Sequence, residues 1–186
     1  MNIFSSTADL IDKVSMATGK LGALVLPLLI ITILVNVCLR YIFDIGLIEL
    51  EELQWHLNAL VVLSCLSMTY LHDEHVRVDL FHNNFKTKTK LIVEICGVLF
   101  LFLPFCVLIT MHAWNMAEYS WSLKEGSPMP SGLPARYIIK FVMALCLTLL
   151  TLQGVSVLLR NCLALFGVKQ HSNTATSQSI NEEVAL

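Results

Sequence analysis

Residues 21–39 read LGALVLPLLIITILVNVCL, nineteen positions without a formal charge between Lys20 and Arg40. Thirteen are Leu, Ile or Val. At about 0.3–0.6 kcal/mol each, the run favours insertion by roughly 4–8 kcal/mol, enough to carry Asn36 and Pro27. A hydrocarbon core about 30 Å thick needs roughly 20 such residues. Comparable runs follow at Leu53–Leu71, Ile95–Ala117 and Phe141–Leu159. The chain of 186 residues is 56% hydrophobic and 14% charged, with a mean hydropathy of +0.71. Four membrane-length runs in succession argue against buried helices of a soluble domain. The pattern predicts an all-α membrane protein with four transmembrane helices, at about 21–41, 51–71, 91–117 and 136–160.

The first run is too long for a signal-peptide core, and Arg40-Tyr41 rather than a small-x-small site follows it, so it is expected to remain as an anchor. With four spans, both termini share a side with the loop between helices 2 and 3. That side carries eight bases (Lys13, Lys20, Arg77, Lys86, Lys88, Lys90, Arg160 and Lys169) against four on the other (Arg40, Lys124, Arg136 and Lys140). The positive-inside rule then puts both termini in the cytoplasm. Residues 1–20 form an N-terminal segment in which Leu10, Ile11, Val14 and Ala17 share a helical face, consistent with either a short amphipathic surface helix or a plain polar extension. The tail, 161–186, is polar and poor in aromatics beyond Lys169, the composition of a disordered segment. A net charge of −2 points to no nucleic-acid partner. The six cysteines (Cys38, Cys65, Cys96, Cys106, Cys146 and Cys162) contain no CxxC pair and read as small hydrophobes.

Helix 2 is marginal by itself. It holds eight Leu or Val, about 2–5 kcal/mol of insertion, and must carry Gln54, His56 and Asn58. Its outer end therefore calls for protein rather than lipid around it. Glu52 and His56 stack on one face, as do Glu51 and Trp55. Two readings of the outer acids stand side by side. Arg40 pairs with Glu51 or Glu52, fixing helix 1 to helix 2 and leaving the other acids for a partner, or these charges mark the water boundary beside Tyr41 and Trp55. Further along, Lys90 and Glu94 have local ion-pair spacing, and Pro104 predicts a bend in helix 3. Arg136 and Tyr137 anchor the start of helix 4 after a Pro/Gly-rich loop.

The cytoplasmic loop HDEHVRVDLF, residues 72–81, is dense in titratable groups. Its alternation of Val76, Val78 and Leu80 with His75, Arg77 and Asp79 suits a segment packed on a surface better than a metal site. The order of landmarks resembles the small membrane subunit of tripartite ATP-independent periplasmic (TRAP) transporters, the DctQ-type family. Those landmarks are Asn36, Arg40-Tyr41 and Phe43 closing helix 1, Glu51-Glu52-Leu53 opening helix 2, and His75-Val76-Arg77-Val78-Asp79 after it. Gly132-Leu133-Pro134 and Arg136-Tyr137 then lead into helix 4, with Leu152-Gln153-Gly154 and Arg160-Asn161 within it. The resemblance covers roughly residues 10–165, and the loop before helix 4 looks most like the branch labelled mannitol/chloroaromatic. Two departures stand out: Ile48–Leu50 replace a tryptophan common before the paired glutamates, and Ser64-Cys65 replace a mid-helix glycine.

The resemblance implies a non-catalytic scaffold in the bacterial inner membrane. Its partners would be a large permease that carries the substrate and sodium sites and a periplasmic solute-binding protein that delivers an organic acid. The rival reading is a haem-binding anchor of an electron-transfer complex, with His56 and His112, each placed near the outer surface, as the ligand pair. No Ser-His-Asp arrangement, phosphate loop or HExxH motif is present in the sequence. No catalytic residue, cofactor or metal is expected. The candidate interface or helix-pairing residues are Arg40, Glu51, Glu52, Gln54, Trp55, His56 and Asn58, with His75, Arg77 and Asp79 as the loop motif and Arg136 and Tyr137 as the helix anchor.

Overall fold

The computed structural model describes residues 2–72 and 87–165, and these are helical apart from the connecting loops. Helix α1 spans Asn2–Ile42, α2 Ile48–Leu71 and α3 Thr87–Gly97. A π-helical turn, Val98–Phe102, joins α3 to α4, Leu103–Ser122, and α5 spans Tyr137–Leu165. Among the described residues, three rods are long and apolar enough to cross a membrane: Thr7–Ile42, Leu91–Ser122 (the third rod of the fold, α2 being the second) and Tyr137–Leu163. Helix α2, with 24 residues, has the length but falls short in apolarity, as its Gln54, His56 and Asn58 foretell.

The apolar mass of the protein faces outward. Leu21, Leu24, Leu28 and Ile31 of α1 and Phe100, Leu101, Phe105 and Leu108 of the third rod are each more than half exposed. What the helices bury against one another is mostly small or polar, with Ala113, Ala117, Ala144, Ser15, Ser67, Ser120, Gln153 and Ser156 beside Leu29, Val98 and Leu150 as larger apolar residues. Lipid tails are as apolar as leucine, so helices gain little by hiding leucines from them. Small side chains and hydrogen bonds hold them together instead.

Three local features set the geometry. First, α1 is one continuous helix from the N-terminal segment through the membrane run, not a separate surface helix followed by a span. Leu10 and Val14 are exposed while Asp12 and Ser15 are buried, the reverse of a segment lying on its apolar face. Second, α1 and α2 approach closely at Gly19 and Gly22. A Cβ at Gly22 would stand 2.1 Å from the Ser64 hydroxyl oxygen, and one at Gly19 2.4 Å from the Met68 sulfur. Ser64 of α2 is thus accommodated by a glycine on the facing helix. Third, the π turn sits directly before Pro104, with the Leu103 amide donating to the Val98 carbonyl five residues back. Proline has no N–H to give the carbonyl four residues before it and crowds that carbonyl, so a wider turn relieves the rod there.

Helix α5 is the hub. It packs against α1, α2 and the whole third rod, whereas α4 makes its main contact with α5. Around Ala113, Ala117 and Ala144 gather Trp114, Phe141, Met143 and Leu147. The Trp114 indole donates to the Thr148 hydroxyl at 3.0 Å, and the hydroxyls of Thr110 and Thr151 meet at 3.1 Å. At the other end, bare Gly154 leaves room for Phe102, which stacks on Tyr70 of α2 at 4.4 Å.

The α1–α2 contact makes a direct prediction. Gly22→Leu overpacks it and should destabilise the detergent-purified protein by about 1–3 kcal/mol. Gly97→Ala, at a site with open space around it, should leave the melting temperature unchanged or slightly raised. Equal melting temperatures for both variants would contradict this packing.

Candidate functional site

An arginine stands at each end of α5: Arg136 immediately before it and Arg160 within its last turns. Each meets a buried carboxylate from another helix. These two polar clusters, with the cleft between α2 and α5, are the chemically distinctive parts of the molecule.

At the end predicted to face outward, Glu52, 3% exposed, is the centre. Its carboxylate accepts the Ser127 hydroxyl and the Leu133 backbone N–H (2.7 Å), and Arg136 Nη2 lies 3.7 Å away. Gly132 makes the seat possible, because a Cβ there would fall 2.8 Å from Glu52 Oε2 and 2.1 Å from Ser127 Oγ. Ala135 adopts a left-handed conformation at φ 71° and turns the chain into α5. That conformation costs an alanine roughly 1–2 kcal/mol. Tyr137 packs edge-on against Trp121, ring centroids 5.0 Å apart. One turn on, Lys140 Nζ donates to Glu125 (2.5 Å) and Ser120 (2.7 Å). The loop between α4 and α5 is therefore tied to α2 by one carboxylate and to α5 by another.

The two glutamates that sequence offers to Arg40 are divided by geometry. Arg40 Nη1 lies 3.3 Å from Glu51, both side chains well exposed, while Glu52 turns inward to the loop and Arg136. A surface pair of that kind contributes at most about 1 kcal/mol. Gln54 donates to the Thr32 carbonyl of α1 at 3.4 Å, and Trp55 and Asn58 point outward. His56 Nδ1 lies 2.6 Å from the Glu52 carbonyl oxygen. The imidazole also lines a cleft of about 240 Å³ with Trp55, Ala59, Arg136, Ile139 and Lys140. His75, Arg77 and Asp79 lie outside the described residues.

The haem reading fails on placement. His56 faces the α2–α5 cleft, whereas His112 is exposed on the side of α4 away from α5. Helix α4 also runs five residues past its predicted end, to Ser122, which carries His112 away from the outer surface. The two histidines do not face one another.

At the other end of α5 a second cluster gathers residues that the sequence does not single out as a site. Asp12 Oδ1 accepts Gln153 Nε2 (2.8 Å) and the Ser156 hydroxyl (3.2 Å), and Ser15 donates to Gln153 Oε1 at 2.7 Å. Arg160 closes the group by pairing with Asp12 and, at 2.9 Å, with Asp9. Asn161 reaches across to Glu94 at 3.2 Å. The available signal was helical spacing: Asp12, Ser15 and Gly19 share one face, and Gln153, Ser156 and Arg160 another.

This is a membrane subunit whose polar groups hold its own helices together at both ends. A family model, the DctQ component of tripartite ATP-independent periplasmic transporters, matches residues 29–163, nearly three quarters of the chain. The chain belongs to that family, and it is a transporter component, not an enzyme. No curated protein and no solved structure matches it.

Two predictions follow from the clusters. Asp12→Ala strands Gln153, Ser156 and Arg160, and should destabilise the protein in detergent by about 2–3 kcal/mol, allowing for Arg160's partial exposure. An unchanged melting temperature would contradict the cluster. The second concerns pH. The hydrogen bond from Lys140, then one from Ser120, holds the Glu125 carboxyl below its ordinary range. A depressed carboxyl contributes stability above its unfolded value, near 4.3, and loses it as pH falls through the folded value. Amide exchange in residues 123–135 should therefore be flat from about pH 8 to 5, apart from intrinsic chemistry, and accelerate only below about pH 4. In Glu125→Gln the loop should be loose throughout.

Proposed function

We propose that this chain is the small membrane subunit of a secondary transporter in a bacterial inner membrane. It braces a large permease, which moves an organic-acid solute with a coupling ion after a periplasmic solute-binding protein delivers it. The family match over residues 29–163 carries this reading. The composition of α2 supports it, since the helix least suited to lipid is the one a scaffold surrounds with protein. So does the charge balance at the outer end. Of the four bases there, Arg40, Arg136 and Lys140 are each answered by a glutamate, and exposed Lys124 has no ion-pair partner among the described residues. Asp44, Glu49 and Glu118 have no ion-pair partner among the described residues either, and all three are exposed, so unpaired acids outnumber the unpaired base. Acids left over at that end suit a docking surface for the binding protein. The positive-inside count supports a periplasmic position for this end.

The chain should co-purify with the large permease when both are expressed together. Proteoliposomes holding this chain alone should take up no solute. Those holding both subunits should, once the binding protein and an ion gradient are supplied. Uptake by this chain alone, or undiminished uptake by the large permease without it, would contradict the proposal.

A further inference from the structure

The antiparallel contact between α4 and α5 locates every residue of α4 along the membrane normal. Thr110 meets Thr151, Trp114 meets Thr148, and Ser120 meets Lys140. His112 is therefore level with Leu149–Leu150, and Asn115 with about Cys146. Lys140 and Arg160, the charged residues that bracket the apolar run of α5, are twenty residues apart, about 30 Å of helix. His112 thus lies close to mid-membrane, about 15 Å from either charge, and Asn115 about one turn nearer the outer side.

Both side chains point away from the protein. The face of α4 that meets α5 is lined by Cys106, Ala113, Ala117 and Ser120, all buried. Leu108, His112, Asn115 and Tyr119 form the opposite face, and all four are exposed. Neither His112 nor Asn115 makes a hydrogen bond to any described residue. Exposed Asn58 of α2 is a different case, because its neighbour Ala59 shares the cleft with Lys140 at the membrane boundary, where water can reach it. An imidazole and a carboxamide in mid-membrane have no water, and hydrocarbon offers them no hydrogen bond. The third rod is also the least covered by its own chain, with 6% of its most apolar window buried.

We propose that the Leu108–His112–Asn115–Tyr119 face of α4 is where the large permease docks. The occupant is a transmembrane helix presenting hydrogen-bonding side chains at the depth of His112 and Asn115, flanked by apolar residues that pack on Leu108 and Tyr119. This rests on the subunit reading above and adds to it the face and the chemistry of contact. Interhelical hydrogen bonds of this kind steer register and partner choice as well as adding affinity.

The test uses the full chain co-expressed with the large permease. A photo-crosslinking amino acid is placed at position 112 or 115, and for comparison at Leu24, 77% exposed on α1. Adducts with the large permease should form from 112 and 115 and be much weaker from 24. Adducts from 112 and 115 only with lipid, or only with a second copy of this chain, would overturn the proposal. So would permease adducts from 24 alone. If the permease co-purifies yet never crosslinks to 112 or 115, this face is wrong and the subunit reading stands; if it does not co-purify at all, both fall. As a second measurement, the double substitution His112→Leu with Asn115→Leu should weaken the complex by about tenfold, at roughly threefold per hydrogen bond. The isolated chain's melting temperature should not fall, because both side chains are exposed and neither makes a hydrogen bond to any described residue. Full retention of the complex would count against the contact.

Discussion

Helix α5 is fastened at both membrane faces by an arginine on a carboxylate from a different helix, and the arrangement of the other helices depends on that constraint. Arg136 meets Glu52 of α2 at one face, and Arg160 meets Asp12 of α1 at the other. An ion pair of this sort holds position because of what its loss would leave: an unpaired charge in a poorly hydrated place. The pairs are also embedded in further hydrogen bonds, from Leu133 and Ser127 to Glu52 and from Gln153 and Ser156 to Asp12. Each carboxylate is thus a junction for three or more groups from distant parts of the sequence.

Between these clamps, packing alone has little to choose between orientations, because leucine is equally at home against a helix or a lipid tail. The interior accordingly consists of close approaches rather than a greasy core. Gly19 and Gly22 let α1 meet α2, Gly154 admits Phe102, and the alanines of α4 and α5 bring Trp114 within reach of Thr148. Apolar surface is then free to face outward on every rod, and the same surface is available to a partner. A scaffold needs this combination: rigid within itself, with an outside that another membrane protein can cover.

The helices were legible in the sequence because bilayer thickness imposes a length on apolar runs, and runs of that length have few other uses. The weakness of helix 2 was legible for the same reason, from Gln54, His56 and Asn58. Pairing was less so. Arg40 had Glu51 and Glu52 as equal prospects, and only the loop decides between them. Gly132 and the Leu133 amide, some eighty residues away, make the seat that Glu52 occupies. The inner cluster escaped because Asp12 lies in a segment whose apolar residues suggested a surface helix, and its partner Gln153 is 141 positions distant. The depth of His112 depended on where α4 stops. Apolarity fades near Ala117, but hydrogen bonding and the anchoring of Ser120 by Lys140 carry the helix on to Ser122.

The central claim, that α1 is a single helix pinned by its N-terminal turns to the end of α5, is open to one direct measurement: hydrogen–deuterium exchange on the full chain in lipid nanodiscs. Residues 8–16 lie beyond the apolar run and would exchange quickly if they merely extended from it or lay on the membrane surface. The clamp predicts that they exchange nearly as slowly as residues 22–38. Rapid exchange in 8–16 beside slow exchange in 22–38 would contradict it.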